Sequence, residues 1–302
     1  MQFKLLTLTL TLLSSVVASK ECNILSLSGG GSFGAVEAGI LKDMINKNNI
    51  NSTFDIITGI SAGGLNTAFL SYENDISKSI DNLVDIYTSL NTQAVYTKNS
   101  LFNIYRNWGY YDTSPLENTI TSVISSMEKK EGSPIALIGS SNLNLEELDI
   151  FRYDLADFNN QINILMATSA IPILFPPRTI GKYTYVDGGA IDNEIIYQAM
   201  GFVDCDFYHY TFVSASDKSV DYEPIESLKE YVEAVYKLVV NTFDYELAGL
   251  KNITCSNPKG DINVCLPEAT MLENYSILDF DHGKELVDIG MNHYSCNMIP
   301  LC

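Results

Sequence analysis

Ser61 lies in the stretch "DIITGISAGGLNTAF", residues 55–69, between an apolar run and a run of helical character. A serine on a sharp strand-to-helix turn is the arrangement of a nucleophile elbow. Gly59 and Gly63 flank it where a Cβ would clash in so tight a turn, and Gly64 gives additional room. The start of the helix adds free N–H groups and partial positive charge. The chemistry implied is attack of an activated hydroxyl on a carbonyl carbon. Gly-x-Ser-x-Gly occurs by chance in many chains, so its partners decide its meaning.

A second loop, "GGGSFG" at Gly29–Gly34, also sits between an apolar strand and a helical run. Its amides could cradle a nucleotide phosphate or a developing alkoxide. The loop lacks the Lys and Ser/Thr of a P-loop, and its glycine spacing does not match G-x-G-x-x-G. An oxyanion hole is favoured, with the Gly30 and Gly31 amides as donors and Gly29 beside them. Downstream, "YVDGGAIDN" sets Asp187 at the end of a strand, on a turn made by Gly188 and Gly189. Alone, that is an ordinary Asp-Gly turn. With two other glycine-supported loops, it is a candidate base.

A serine nucleophile normally relies on a histidine. The chain has three, His209, His282 and His293. The order Ser61, Asp187, His282 matches that of α/β-hydrolases. In that fold, however, the elbow follows several strands, whereas here it follows the second. His209 lies inside a strand, His282 at a helix start and His293 near that helix's end, so none has a site-like context.

The elements that must position these residues alternate as strand and helix. "NILSLS" (23–28) is a strand, residues 35–49 a helix, "FDIITGI" (54–60) a strand, and a helix follows Ser61 to about Tyr72. This βαβ unit predicts a mostly parallel sheet covered on both faces. Further helices are expected over 75–90 and from the capping box at Ser114 and Glu117, with Pro115 in its first turn. Residues 134–139 read as a strand, 143–152 as a hairpin, 162–170 as a short helix, 183–187 and 206–216 as strands, 225–250 as one long helix and 281–294 as a last helix. "YRNWGYY" (105–111) reads as irregular and packed inward, with a lipid-facing lip as the other reading, and the Cys255–Cys265 region reads as loop. No repeat or linker divides the chain.

Composition bounds the setting. The chain has 302 residues, 46% of them hydrophobic, which is enough for a substantial core. Residues 1–19 combine Lys4, an apolar run and small residues at Ala18 and Ser19, the pattern of a signal peptide, leaving 20–302 as a single catalytic domain. A secreted or vacuolar protein is therefore expected. All six cysteines follow that segment and suggest disulfides, with Cys255–Cys265 and Cys296–Cys302 as the nearest local pairs. No C-x-x-C occurs, so neither a zinc site nor a redox pair is expected. Sequons stand at Asn51, Asn252 and Asn274. A formal charge of −19 argues against nucleic acid as a partner.

With these motifs assembled, the sequence resembles the patatin-like phospholipases. "SLSGGGSFG" resembles that family's oxyanion loop, "GISAGG" its elbow, "ATSAIPILFPP" (167–177) its Pro-Pro block and "VDGG" (186–189) its Asp-Gly-Gly motif, in the family order. The resemblance implies a three-layer α/β/α fold and a Ser–Asp dyad without histidine or cofactor. It also implies a lipid acyl ester as substrate, met through transient contact with a membrane or micelle. Ser61 would be the nucleophile and Asp187 the general base and acid. An aspartate near its reference pKa of about 4 is a weak base, which burial can strengthen. Ser28 and Phe33 depart from the family, which usually has Asp before the glycines and Arg or Lys before the last. Ile195 stands where Pro is common. The departures keep a second reading open, a catalytically weak binding or storage protein. A His-containing α/β-hydrolase is the third.

Overall fold

The computed structural model describes residues 19–215, 243–254 and 259–301. Residues 1–18, most of the helix expected over 225–250, and Cys255 and Cys302 lie outside the described residues.

The first βαβ unit forms as its pattern dictates. β1 (Glu21–Leu27) leads through the glycine loop into α1 (Gly34–Asn46), and β2 (Ile56–Ile60) into α2 (Ser61–Leu70). Then follow α3 (Ile80–Ser89), α4 (Thr92–Val95), β3 (Thr97–Lys98), α5 (Leu101–Asn107), β4 (Tyr111–Asp112) and α6 (Ser114–Ser125). β5 (Ile135–Asn142) turns back as β6 (Glu147–Arg152), and α7 (Phe158–Thr168) precedes β7 (Arg178–Ile180), β8 (Tyr183–Asp187) and β9 (Phe207–Val213). α8 (Phe243–Thr254), β10 (Lys259–Pro267), α9 (Gly283–Asn292) and β11 (Tyr294–Pro300) complete the described chain.

Nine strands join in one sheet in the order β11-β10-β9-β1-β2-β5-β8-β7, with β6 also paired to β5. β10, β9, β1, β2 and β5 run parallel; β6, β7, β8 and β11 supply antiparallel pairs. Side-chain alternation sends Ile24, Ile56 and Leu137 into the core on one face, and Leu25, Ile57 and Ile138 into the core on the other. Helical residues cover both, so the fold is a three-layer α/β/α sandwich around a mostly parallel sheet. Among the described residues, no helix is long and apolar enough to cross a membrane.

Three expectations are corrected. The region after Cys255 is not all loop: residues 259–267 form β10, whose Ile262 and Val264 are buried. Of the stretch 105–111, residues 105–107 are helical rather than irregular, closing a helix that Ser100 caps by accepting from the Asn103 amide, and Tyr105 and Trp108 are exposed rather than packed inward. The local cysteine pairs give way to Cys265–Cys296 and Cys22–Cys205. Antiparallel register sets Cys265 directly opposite Cys296, a pairing that a loop over 255–265 would not produce.

Candidate active site

The parallel strands deliver their C-terminal ends to one edge of the sheet, and the three glycine-supported loops gather there. β5 carries β6 along residues 137–142, which occupies one of its two edges. β2 and β8 therefore share the other edge, β2 pairing with residues 135–139 and β8 with 140–142. Ile60 lies opposite Gly139 and Asp187 opposite Ser140, so the ends of β2 and β8 meet on consecutive residues of β5. A Cβ on Gly188 would stand 2.8 Å from Ile60 Cγ2. Ser61 follows the last residue of β2 and Asp187 is the last of β8, so both stand at neighbouring strand ends.

Ser61 is buried at the first position of α2 with φ of 53°. That left-handed conformation costs of order 1–3 kcal/mol for a non-glycine residue and persists only where surroundings enforce it. The enforcement is visible. The Ser61 amide donates to Thr168 Oγ1 at 2.9 Å, and the Thr168 hydroxyl donates to the Gly139 carbonyl at 2.6 Å. A Cβ on Gly59 would overlap the Gly63 carbonyl, so the elbow closes only with glycine there. Gly63 in turn donates its amide to the Ser28 carbonyl at 3.1 Å, tying the elbow to the glycine loop.

Asp187 is fully buried. Its Oδ1 accepts from the Gly189 amide at 2.9 Å, and its own amide donates to the Ala170 carbonyl at 2.9 Å. The carboxylate is thus held by the Asp-Gly-Gly turn and by the end of the "ATSA" segment.

In the glycine loop, the Gly29 amide is already engaged by Asn193 Oδ1 at 3.1 Å, and Asn193 Nδ2 donates to the Gly29 carbonyl at 3.2 Å. Gly29 is therefore fixed rather than available as an oxyanion donor. Among the described residues, none accepts a hydrogen bond from the Gly30 or Gly31 amide. Gly31 has φ of 58°, and a Cβ there would strike the Ile277 carbonyl. Beneath the loop, Glu37 is fully buried. Its Oε1 accepts from the Ser28 amide at 2.8 Å and its Oε2 from Asn66 Nδ2 at 2.9 Å, while Tyr87 OH donates to Asn66 Oδ1 at 2.8 Å. Burial raises the Glu37 carboxyl well above its ordinary value, against the lowering effect of its Asn66 and Ser28 hydrogen bonds.

Each histidine has an acidic contact of its own. His209 pairs with Asn23 at the level of Asp55, six residues and about 20 Å before Ser61 along the strands, with its Nδ1 3.0 Å from Asp261 Oδ1. His282 Nδ1 meets Asp279 Oδ2 at 2.9 Å, and His293 Nδ1 lies 3.5 Å from Glu268 Oε2.

A family profile described as patatin-like phospholipase matches residues 25–200, more than half of the chain. The chain belongs to the patatin-like phospholipase family. Similar proteins include Patatin-12 of Solanum tuberosum, 28% identical over 61% of this chain and 54% of that one. The probable lipid hydrolase 463L of Invertebrate iridescent virus 6 is 29% identical over 58% of this chain and 62% of that one. The cGAMP-activated phospholipase of Vibrio cholerae is 27% identical over 57% and 55%. The chain spans about half the length of the curated patatins it matches. Against the patatin-like pattern, Ser28 uses its hydroxyl to accept from the Ala215 amide at 2.8 Å. Phe33, at the usual cation position, is buried in the core, so this residue supplies no charge to the loop.

Sequence reasoning passes over Thr168 and Asn193. Each lies inside one of the motifs, but their value is in long-range hydrogen bonds, to residues more than 100 positions away, that spacing does not reveal.

Proposed function

We propose that the chain is a lipid acyl hydrolase that cleaves fatty-acyl esters of phospholipids or glycolipids through Ser61 and Asp187. The observation that carries this reading is the meeting of β2 and β8 on one edge of β5, with a strained serine at one end and a buried carboxylate at the other. Asp187 accepts the Ser61 proton as Oγ attacks the ester carbonyl. The Gly30 and Gly31 amides stabilise the tetrahedral oxyanion, an effect of about 3–4 kcal/mol per donor in other serine hydrolases. Asp187 returns the proton to the leaving alcohol, and water, deprotonated by the same carboxylate, releases the fatty acid from the acyl-serine. The Cys22–Cys205 and Cys265–Cys296 bridges fit delivery into an oxidising lumen or outside the cell after removal of residues 1–19, with glycans on the surface residues Asn51, Asn252 and Asn274.

The test is hydrolysis of phospholipid vesicles and of a soluble short-chain ester by wild type, Ser61→Ala, Asp187→Asn and alanine variants of the three histidines. Loss of at least about 1,000-fold is expected in the first two variants and none in the histidine variants. An active Asp187→Asn beside a dead histidine variant would sink the dyad. The buried Phe33 supports one alternative, a weak enzyme or binding protein. Failure of a fluorophosphonate to label Ser61 in folded protein would favour it.

A further inference from the structure

The helix α5 is apolar on the wrong side for a core element. Leu101 is 87% exposed, Phe102 72%, Tyr105 85% and Trp108 71%, and α5 has no buried residue. Leu101, Phe102 and Tyr105 span about 100° of the helix surface, and exposed Trp108 caps its C-terminus in the left-handed conformation. Soluble surfaces rarely gather large apolar side chains in this way without a binding role. The helix is the outer part of an excursion whose two feet, β3 and β4, pair as a ribbon. An aromatic cluster of Tyr96, Tyr111 and Phe175 anchors that base.

The stripe is joined to the active site. Its C-terminal end packs on the loop after α7: Tyr110 donates its amide to the Ile173 carbonyl at 2.9 Å, and Tyr111 to Leu174 at 2.8 Å. Ile173 is itself 65% exposed with φ of 71°, an unusual conformation for a β-branched residue, and extends the patch. The same loop begins at Thr168 and Ala170, which hold the Ser61 and Asp187 backbones.

Charge selects the partner. The chain carries 37 acidic residues, yet none falls between Asp85 and Asp112 or between Asp157 and Asp187, the two segments that build this patch. Lys98 and Arg106 lie in the first of them, Lys98 over the Tyr110 ring at 5.8 Å. An apolar stripe with aromatic residues, built from segments that carry Lys98 and Arg106 and no Asp or Glu of their own, fits the boundary between phosphate headgroups and acyl chains.

We propose that α5 and Ile173 form the surface by which the protein docks onto a phosphatidylcholine-type lipid surface, inserting Leu101, Phe102, Tyr105 and Trp108 beside the active site. The proposal rests on the lipid-hydrolase reading for its purpose, but its test does not. Trp108 is the one tryptophan of the chain and reports its own surroundings. Phosphatidylcholine vesicles added to full-length protein are expected to shift Trp108 emission to the blue, equally in wild type and Ser61→Ala. The double variant Phe102→Ser with Tyr105→Ser is expected to lose at least about tenfold in vesicle affinity. It should hydrolyse a soluble short-chain ester at the wild-type rate, which also shows that it is folded. Unshifted emission, or undiminished affinity in the double variant, overturns the proposal. So does emission already blue without lipid and unchanged by it, which means that this chain or a second copy covers the patch. A protein that shifts on vesicles yet hydrolyses neither ester leaves the docking surface standing and removes the hydrolase reading.

Discussion

Beneath the glycine loop, Glu37 is a buried titratable group that the proposed chemistry does not use. Glu37 is raised by burial while its two oxygens receive the Ser28 and Asn66 donors. A carboxyl whose folded pKa lies above its unfolded value binds more protons folded than unfolded over the interval between the two. Stability from this group is thus fully present below the ordinary value of 4.5 and declines as pH rises towards the folded pKa. Glu37→Gln removes that decline and keeps an acceptor for Ser28. Melting temperatures across pH are expected to show wild type losing ground to Glu37→Gln as pH rises from about 4.5. A difference that is flat with pH would mean that the Glu37 carboxyl binds protons alike in the folded and unfolded chain.

At the scale of elements, α1 must hold the glycine loop still, and it does so by close contact with α9. A Cβ on Gly39 would collide with the Val287 carbonyl, and one on Gly290 with the Val36 carbonyl. Gly290→Ala therefore sets two effects against each other. Helix propensity gains about 1 kcal/mol, while overpacking against backbone costs about 1–3 kcal/mol. A net loss of up to about 2 kcal/mol is expected in urea unfolding. Stabilisation instead would show that the two helices separate at little cost. The βαβ start, the elbow and the Asp-Gly-Gly turn are legible in the sequence because each is a local pattern of apolar residues ended by glycine. β10 and β11 are not, since their identity lies in pairing with β9 and with one another. The outward stance of Tyr105 and Trp108 escapes a reading of the sequence, because residue types do not say which way an apolar face turns.

Over the whole molecule, the charge of −19 and the docking patch act at different ranges. The net charge repels an anionic surface at distances up to the Debye length, about 10 Å at 0.1 M salt, whereas Lys98 and Arg106 act only at contact. Mixing anionic lipid into phosphatidylcholine vesicles is thus expected to weaken binding at low salt, and added salt to restore it. Anionic lipid that strengthens binding at low salt would show that the local cations dominate. The sequence by itself determined the α/β class, the elbow, the glycine loop and the candidate carboxylate, because glycine spacing and hydrophobic period are properties of short segments. Only the tertiary structure decided that the ends of β2 and β8, next to which Ser61 and Asp187 stand, fall side by side. Their strands are separated by more than 100 residues and become neighbours by sharing one edge of β5. It likewise decided that Gly29 is clamped by Asn193, that Phe33 belongs to the core and that Cys265 pairs with Cys296. Each depends on which distant segment lies alongside, and long-range register has no signature within a single stretch of chain.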